Sequence, residues 1–340
     1  MILILKENTS IADANALIAR LSWMKLQGIL STHNNQYRIA VVNGEDALTD
    51  LKQFVCFSCV EKIQPFTQKY KLAGRDCKKE NTVINMGQQL IGNDTFTVMA
   101  GPCSIESEEQ IHQIAAFVAK KGATILRGGA FKPRTSPYDF QGLGETGLRY
   151  MQSAAKKNNL HSVSEVMDTS DIDLVASYVD ILQIGARNMQ NFSWLKKVGR
   201  SGKPILLKRG LSATYTDFLM AAEYILQSGN PNVILCERGI RTFETHSRNT
   251  LDIAAVPILH ELSHLPVIVD PSHGTGIRNM VAPMAYAAIA AGADGLMVEV
   301  HPEPDAALSD AKQTLSFPLF ADMMLALRTI GRAVNKSVPE

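Results

Sequence analysis

The chain has 340 residues, of which 46% are hydrophobic and 20% are charged, a composition typical of a globular protein with one large domain and one small one. Its formal net charge of +1 argues against a nucleic-acid or anionic-membrane binder. No run reaches the roughly 18 apolar residues of a membrane span, the first residues lack the pattern of a secretory leader, and five scattered cysteines suggest no disulfide framework. We therefore expect a cytoplasmic protein.

The first 72 residues predict a small α+β domain with the order β-α-β-β-α-β. Its predicted elements are strand Met1–Leu5, helix Ile11–Gln27, strands Gly28–Ser31 and Tyr37–Val42, helix Glu45–Phe54 and strand Val55–Ile63. Cys56 and Cys59 have the spacing of a redox or metal pair, but no second pair or histidine cluster accompanies them, which favours packing cysteines. This domain carries no obvious chemistry of its own.

Residues 73–94 are polar and predict a linker with a short hairpin around Gly87. From residue 95 to residue 340, apolar β-rich runs alternate with helix-length intervals, which is typical of a parallel sheet. The predicted strands are Phe96–Ala100, Thr124–Arg127, Ser162–Val166, Ile181–Ile184, Pro204–Lys208, Val233–Cys236, Pro266–Val269 and Gly295–Glu299. Eight such units favour closure into a (β/α)8 TIM barrel.

The carboxyl ends of these strands carry a group of cations. Active sites of barrels form at that end of the strands, and arginine and lysine side chains there suit phosphate and carboxylate groups. The cations are Arg127, Lys132, Arg134, Arg187, Lys208, Arg209 and Arg238. For any single one, a structural ion pair with Glu165, Glu237 or Asp270 is about as plausible, but the whole cluster predicts a phosphate-rich pair of substrates.

A second set of strand-end residues could bind a metal ion. Cys103, His273, Glu299 and Asp310 offer one thiolate, one imidazole and two carboxylates, which suit a divalent Mn, Fe, Co or Zn ion. From the spacing alone, a buried packing cysteine is the more common alternative.

Several motifs resemble those of the 3-deoxy-D-arabino-heptulosonate 7-phosphate synthase family, over about residues 80–335. They are Met99-Ala-Gly-Pro-Cys-Ser104, the segment 126–137, Gln183-Ile-Gly-Ala-Arg-Asn188, Leu207-Lys-Arg-Gly210, Cys236-Glu-Arg-Gly-Ile-Arg-Thr242, Val269-Asp-Pro-Ser-His273 and Val298-Glu-Val-His-Pro-Glu-Pro304. The resemblance is to the subgroup that is related to 3-deoxy-D-manno-octulosonate 8-phosphate synthase and carries a ferredoxin-like domain in front. Lys132-Pro-Arg-Thr-Ser136 and the presence of Cys103 favour erythrose 4-phosphate, rather than arabinose 5-phosphate, as the aldose.

The resemblance also implies roles for individual residues. It implies metal ligation by Cys103, His273, Glu299 and Asp310. It assigns phosphoenolpyruvate binding to Arg127, Lys132, Glu165, Arg187, Lys208, Arg209 and Arg238, and erythrose 4-phosphate binding to Arg134, Thr135, Ser136 and Asp270. Glu165 and Asp270 are also candidates for polar support, and Lys132 is a candidate proton donor if neighbouring cations lower its pKa, with His273 or metal-bound water as rivals.

Three functional hypotheses follow. The first is the heptulosonate phosphate synthase, with inhibition by an aromatic amino acid or a pathway intermediate through the front domain. The second is the octulosonate phosphate synthase, and the third is a non-catalytic barrel that acts as a sensor. The resemblance also implies a homo-oligomer, either a dimer or a tetramer.

Overall fold

The computed structural model describes residues 1–33, 35–42, 57–87, 89–92, 94–132, 136 and 138–340. Among them, no helix has both the length and the hydropathy that crossing a bilayer requires. Their contacts separate into two compact units. One consists of residues 1–81 with 261–264, and the other of residues 82–260 with 265–340.

The N-terminal unit is a four-stranded antiparallel sheet with one described helix. Its elements are β1 (Ile2–Leu5), α1 (Ile11–Trp23), β2 (Gly28–His33), β3 (Gln36–Val41) and β4 (Val60–Gln64), and the strand order is β2-β3-β1-β4. The first three predicted strands and the first helix are confirmed, although α1 stops at Trp23. The predicted strand Val55–Ile63 is confirmed only from Val60 onwards, as β4. The predicted helix at residues 45–54 and the first cysteine of the pair, Cys56, lie outside the described residues.

One face of α1 covers this sheet. Ala14, Leu17 and Leu21 recur at the helical spacing and are buried, while Ser10 begins the helix by accepting a hydrogen bond from the Asp13 amide. The remaining members of the core are apolar side chains of the strands and of the turn after α1: Leu3, Leu5, Leu26, Ile39, Val41 and Val60.

The C-terminal unit is a closed barrel of eight parallel strands, as the sequence predicts. The strands are β7 (Thr97–Gly101), β8 (Ile125–Arg127), β9 (His161–Val166), β10 (Ile181–Ile184), β11 (Ile205–Lys208), β12 (Val233–Glu237), β13 (Val267–Val269) and β14 (Gly295–Glu299). The helices are α2 (Glu108–Lys120), α3 (Glu145–Lys157), α4 (Ile172–Tyr178), α5 (Phe192–Gly199), α6 (Tyr215–Gln227), α7 (Ala255–Leu262), α8 (Pro271–Thr275), α9 (Arg278–Ala290) and α10 (Phe317–Ala333). The strands are buried on both faces, as parallel strands covered by helices are.

A small hairpin precedes the barrel and packs against its interior. It consists of β5 (Ile84–Asn85) and β6 (Leu90–Ile91), which pair in antiparallel fashion. Ile84 and Ile91 are fully buried in one cluster with side chains of barrel strands, including Met99 and Ile125. The hairpin therefore extends the apolar packing that fills the barrel.

Strands β7 and β8 approach closely where they end. A Cβ atom on Gly101 would lie 2.0 Å from the carbonyl oxygen of Arg127, so a side chain at this position would push the two strands apart. The glycine thus allows Cys103, two residues further on, and Arg127 to meet at the same rim.

Candidate active site

The carboxyl ends of the barrel strands surround a cavity of about 410 Å³. Its lining includes most of the residues that the sequence places at this rim: Arg127, Lys132, Glu165, Arg187, Lys208, Arg238, His273 and Asp310. Each comes from a strand end or from the loop that follows, because all eight strands run in the same direction. The cations and the histidine therefore face one common space.

Four side chains at the edge of this cavity form a compact cluster of potential metal ligands. One ligand atom from each of Cys103, His273, Glu299 and Asp310 lies within 4.8 Å of the others. The His273 Nε2 atom is 3.3 Å from Glu299 Oε1, and Cys103 Sγ donates to Asp310 Oδ2 at 3.1 Å. Sulfur, imidazole nitrogen and carboxylate oxygen together suit a borderline divalent ion, so the residues present fit such a group.

Asp270 fixes the orientation of His273. Its Oδ2 lies 2.7 Å from His273 Nδ1, and its Oδ1 accepts the His273 amide hydrogen at 3.0 Å. Burial would raise the pKa of Asp270, but the charges of His273 and Lys208 hold it well below its usual value. A carboxylate on Nδ1 leaves Nε2 directed at the ligand cluster, an arrangement common in metal sites.

The position of Asp270 differs from the expected aldose-binding role. The carboxylate is fully buried, is paired with Lys208 and His273, and is not among the residues that line the cavity. These contacts fit the role of polar support, which the sequence analysis also considered for Asp270, and the role in aldose binding stays a prediction.

Lys132 lies against Cys103. Its Nζ atom donates to the carbonyl oxygen and to the Sγ atom of Cys103, both at 3.0 Å. Burial and the nearby Arg127 act to lower the pKa of Lys132, but the Cys103 sulfur and Glu299 outweigh them and raise it. Arg127 thus acts in the direction that the sequence analysis required, but the net shift of the Lys132 pKa is upward.

The thiol of Cys103 is held in its protonated form in the absence of an ion. Burial, followed by the charge of Glu299, raises its pKa to about 12, although Lys132 acts in the opposite direction. A divalent ion bound to the sulfur would displace this proton, since metals bind the thiolate.

The cations of the rim divide into two groups. Arg127 contacts Glu299 Oε1 at 3.1 Å and lines the cavity, and Lys208 lines it while pairing with Asp270. Arg209 does not line the cavity, and its guanidinium is ion-paired with Glu237 at 2.8 Å and with Asp252 at 2.9 Å. For Arg209, the structural ion pair that the sequence left open is the arrangement present, and we leave this residue out of the substrate site.

Residues expected to bind the aldose are only partly described. Arg134 and Thr135 lie outside the described residues. Ser136 is half-buried, and its Oγ accepts a hydrogen bond from the Tyr138 amide at 3.3 Å. Asp139, a little further along the same loop, lines the cavity.

Some residues of the site were not singled out from the sequence. Leu211, Arg241, Arg248, Asn249 and Ser309 also line the cavity, and Gln313 bonds Glu299 directly behind it. Arg241 lies inside one of the recognised motifs, which is a signal that could have found it. Arg248 and Asn249 come late in the long connection between β12 and α7, where proximity to a strand end gives no guide.

Comparison with known proteins gives consistent results. A profile described as the DAHP synthetase I family matches residues 76–333. A phospho-2-dehydro-3-deoxyheptonate aldolase of Thermotoga maritima is 47% identical over 338 residues, covering 99% of this chain and 100% of the relative. A 2-dehydro-3-deoxyphosphooctonate aldolase of Syntrophotalea carbinolica is 34% identical over 242 residues, covering 66% of this chain and 86% of the relative.

Solved structures agree with these similarities. The crystal structure of the Thermotoga maritima phospho-2-dehydro-3-deoxyheptonate aldolase superposes with a TM-score of 0.80 at 46% identity, covering 99% of this chain and 98% of that one. A truncated form of the 3-deoxy-D-arabino-heptulosonate 7-phosphate synthase from the same organism gives a TM-score of 0.75 at 49% identity, covering 79% of this chain and 99% of that one.

Proposed function

The chain belongs to the DAHP synthetase I family, and from this premise we propose that its barrel condenses phosphoenolpyruvate with erythrose 4-phosphate. In this reaction, C3 of phosphoenolpyruvate forms a bond to the aldehyde carbon, and the aldehyde oxygen takes up a proton. Water adds at C2, and phosphate leaves with its bridging oxygen. The product is 3-deoxy-D-arabino-heptulosonate 7-phosphate, the first intermediate of the shikimate pathway.

One observation carries this proposal. His273 and Asp310 of the four-residue ligand cluster line a cavity that is also lined by seven cations, namely Arg127, Lys132, Arg187, Lys208, Arg238, Arg241 and Arg248. Anions stabilise such a concentration of positive charge, and two phosphorylated substrates supply them. A divalent ion at the cluster would act as a Lewis acid on the aldehyde.

The cations bind and orient phosphoenolpyruvate. Arg127 and Lys208 are both at least 95% buried and are fixed by Glu299 and Asp270, so their positions are set before the substrate arrives. Pre-set partners hold the two reactants in line, which lowers the entropic part of the barrier. Arg187 and Arg238 extend the positive lining of the cavity and are our candidates for binding the phosphate group.

Lys132 is our candidate for the group that protonates the new alcohol. Its raised pKa keeps a proton on Nζ, and its contact with Cys103 places that proton beside the ligand cluster. Lys132→Met would then lower kcat more than it raises the KM of either substrate. A loss confined to KM would assign this lysine to binding alone.

An assay of aldose selectivity tests the proposed reaction. Phosphate release from phosphoenolpyruvate is measured with erythrose 4-phosphate or with arabinose 5-phosphate, before and after removal of metal by a chelator. We expect turnover with erythrose 4-phosphate only, loss of turnover on chelation, and recovery when Mn, Fe, Co or Zn ions are added. Preference for arabinose 5-phosphate would identify an octulosonate phosphate synthase, and no turnover with either aldose would favour the non-catalytic alternative.

We further propose that the N-terminal unit binds a small inhibitor, for which an aromatic amino acid is the first candidate. A cavity of about 380 Å³ in this unit is lined by Lys6, Asp13, Arg20 and Phe57 among others, and the Arg20 guanidinium lies 4.6 Å from the Phe57 ring centroid. Cations, a carboxylate and an aromatic ring match the charged ends and the side chain of such a ligand.

Inhibition by tyrosine and phenylalanine tests this second proposal. A protein that starts at Thr82 is expected to keep turnover and lose inhibition, and Arg20→Ala to weaken inhibition with turnover intact. Lys62→Ala removes an exposed cation of the same unit outside this cavity and serves as the control. Equal inhibition of Arg20→Ala and the unchanged protein would exclude this cavity. Sedimentation of the same proteins would show whether the expected dimer or tetramer forms. The cytoplasmic location stays a prediction.

A further inference from the structure

Each carboxylate of the ligand cluster has one oxygen directed at the cluster and one held from behind. Glu299 Oε1 lies near His273 Nε2 at 3.3 Å, whereas Glu299 Oε2 accepts a hydrogen bond from Gln313 Nε2 at 2.7 Å. Asp310 Oδ2 accepts from Cys103 Sγ at 3.1 Å, whereas Asp310 Oδ1 accepts from Arg248 at 3.2 Å.

The two groups behind the carboxylates are joined to each other. The same Arg248 nitrogen that donates to Asp310 also donates to Gln313 Oε1 at 3.2 Å. Glu299, Gln313, Arg248 and Asp310 therefore form a continuous relay of hydrogen bonds. An amide suits the second place because it donates to one neighbour and accepts from the other without adding charge.

Burial keeps these hydrogen bonds in a single arrangement. Gln313 is only 3% exposed and Glu299 is fully buried, so neither can exchange its partner for water at low cost. The Arg248 side chain is 42% exposed and reaches in from the loop between β12 and α7. Rotating either carboxylate to offer both oxygens to the cluster would break a bond of the relay.

We propose that Arg248 and Gln313 are positioning residues that make Glu299 and Asp310 each present a single oxygen to the bound ion. This inference rests on the metal site of the proposed function. It disfavours Ca, which takes six to eight oxygens and often both oxygens of one carboxylate.

The loop that carries Asp310 is anchored independently of this pair. Asp310 adopts φ of 53°, a conformation that costs a residue other than glycine energy and is held by its surroundings. Arg278 donates to the carbonyl oxygens of Ala311 and Thr314, both at 2.7 Å, and touches neither carboxylate of the cluster. Loop anchoring and carboxylate orientation can thus be tested separately.

The experiment measures Co²⁺ affinity of the metal-free full-length protein through the thiolate-to-cobalt absorption band of Cys103. Gln313→Met keeps the length of the side chain and removes the amide, and we expect affinity about 10- to 100-fold weaker, as for other groups that orient ligands. Arg248→Met is expected to show a similar loss. The double variant is expected to lose little more than either single variant, because the two residues act through one relay.

Arg278→Met is the matched control and is expected to bind Co²⁺ within about threefold of the unchanged protein, since single bonds to a loop backbone are individually small. Equal losses in Arg278→Met and Gln313→Met, or independent losses from Gln313→Met and Arg248→Met, would overturn the orienting role. Should Gln313→Met fail to fold, Arg248→Met alone decides, because its side chain is partly in solvent. If the unchanged protein bound no divalent ion, the proposed function itself would fail, which is a different result from unchanged affinity in the variants.

Discussion

The interiors of the two units differ in what they bury. The core of the N-terminal unit consists of apolar side chains such as Leu3, Leu21 and Ile39, whereas the barrel buries charged groups at its rim, among them Arg127, Glu237 and Glu299. Apolar burial stabilises a fold directly, while buried charges must recover their lost hydration from partners. The comparison indicates that the residues at the barrel rim suit the binding of charged ligands, whereas the residues of the N-terminal core suit stability.

The largest expected effect that tests this comparison is the fall in kcat on substitution of Cys103. Cys103→Ala removes one of the four candidate ligands, and loss of Lewis-acid assistance is expected to lower kcat by about 10³-fold, or roughly 4 kcal/mol of barrier. Cys59→Ala, a matched change in the N-terminal unit, is expected to leave kcat unchanged within about twofold. Steady-state kinetics with metal analysis measure both, and full chelator-resistant activity of Cys103→Ala would contradict the metal role.

A slightly smaller effect, on stability, is expected at Glu237. Its carboxylate accepts from Arg209 and from the Gly239 amide, so Glu237→Ala leaves a buried guanidinium with one partner fewer. We expect a loss of about 3–4 kcal/mol in the free energy of unfolding, measured by urea denaturation with Trp194 fluorescence. Glu109→Ala, at an exposed position, is expected to cost less than about 1 kcal/mol, and equal costs would refute the distinction.

Leu3→Ala tests the apolar core of the N-terminal unit. The fully buried side chain is replaced by a cavity, which is expected to cost about 3 kcal/mol. Amide hydrogen exchange of β1 would report the loss, while turnover is expected to stay the same within about twofold. A large fall in kcat would show that this core also supports the chemistry.

The last effect vanishes at neutral pH and concerns His264, whose Nε2 lies 2.7 Å from the Leu72 carbonyl oxygen. Burial lowers its pKa from 6.5 to about 4, so the unfolded chain takes up a proton at higher pH than the folded one. Stability is then complete above pH 6.5 and is lost as the pH falls from 6.5 towards 4, by roughly 3 kcal/mol. His264→Gln is expected to flatten this part of the profile in urea denaturation, and an unchanged slope would assign it to other groups.

The sequence predicts the barrel because its strands are uninterrupted apolar runs followed by polar residues. The rule that residues at the strand ends belong to the site also explains why Arg209 was predicted beside Lys208. Lys208 ends β11 and pairs in register with Cys236, and successive side chains of a strand point to opposite faces. Lys208 therefore faces the cavity and Arg209 faces away, towards Glu237. Alternation along the strand is by itself enough to separate these two cations, and the predicted shared role in phosphoenolpyruvate binding did not take that alternation into account.

Other parts of the site could not be predicted in this way. Gln313 reaches Glu299 only because the loop after β14 turns back through Asp310 in its left-handed conformation, and Arg248 enters from a long connection whose path depends on tertiary packing. An uncharged amide also carries no chemical signal in a sequence. The candidate ligands were assigned through the family resemblance, whereas the residues that we propose to orient them carried no such signal.

The hairpin formed by β5 and β6 has a kinetic consequence for the proposed reaction. Ile84 and Ile91 pack in one cluster with the side chains that fill the barrel interior. Molecules therefore cannot pass through the barrel, and they reach the active site from the rim at the carboxyl ends of the strands. All reactants and products must use this one opening. They are the two phosphorylated substrates, the attacking water, the released phosphate and the sugar acid product. Substrate binding and product release are then expected to be ordered, with the substrate that binds deepest in the cavity binding first.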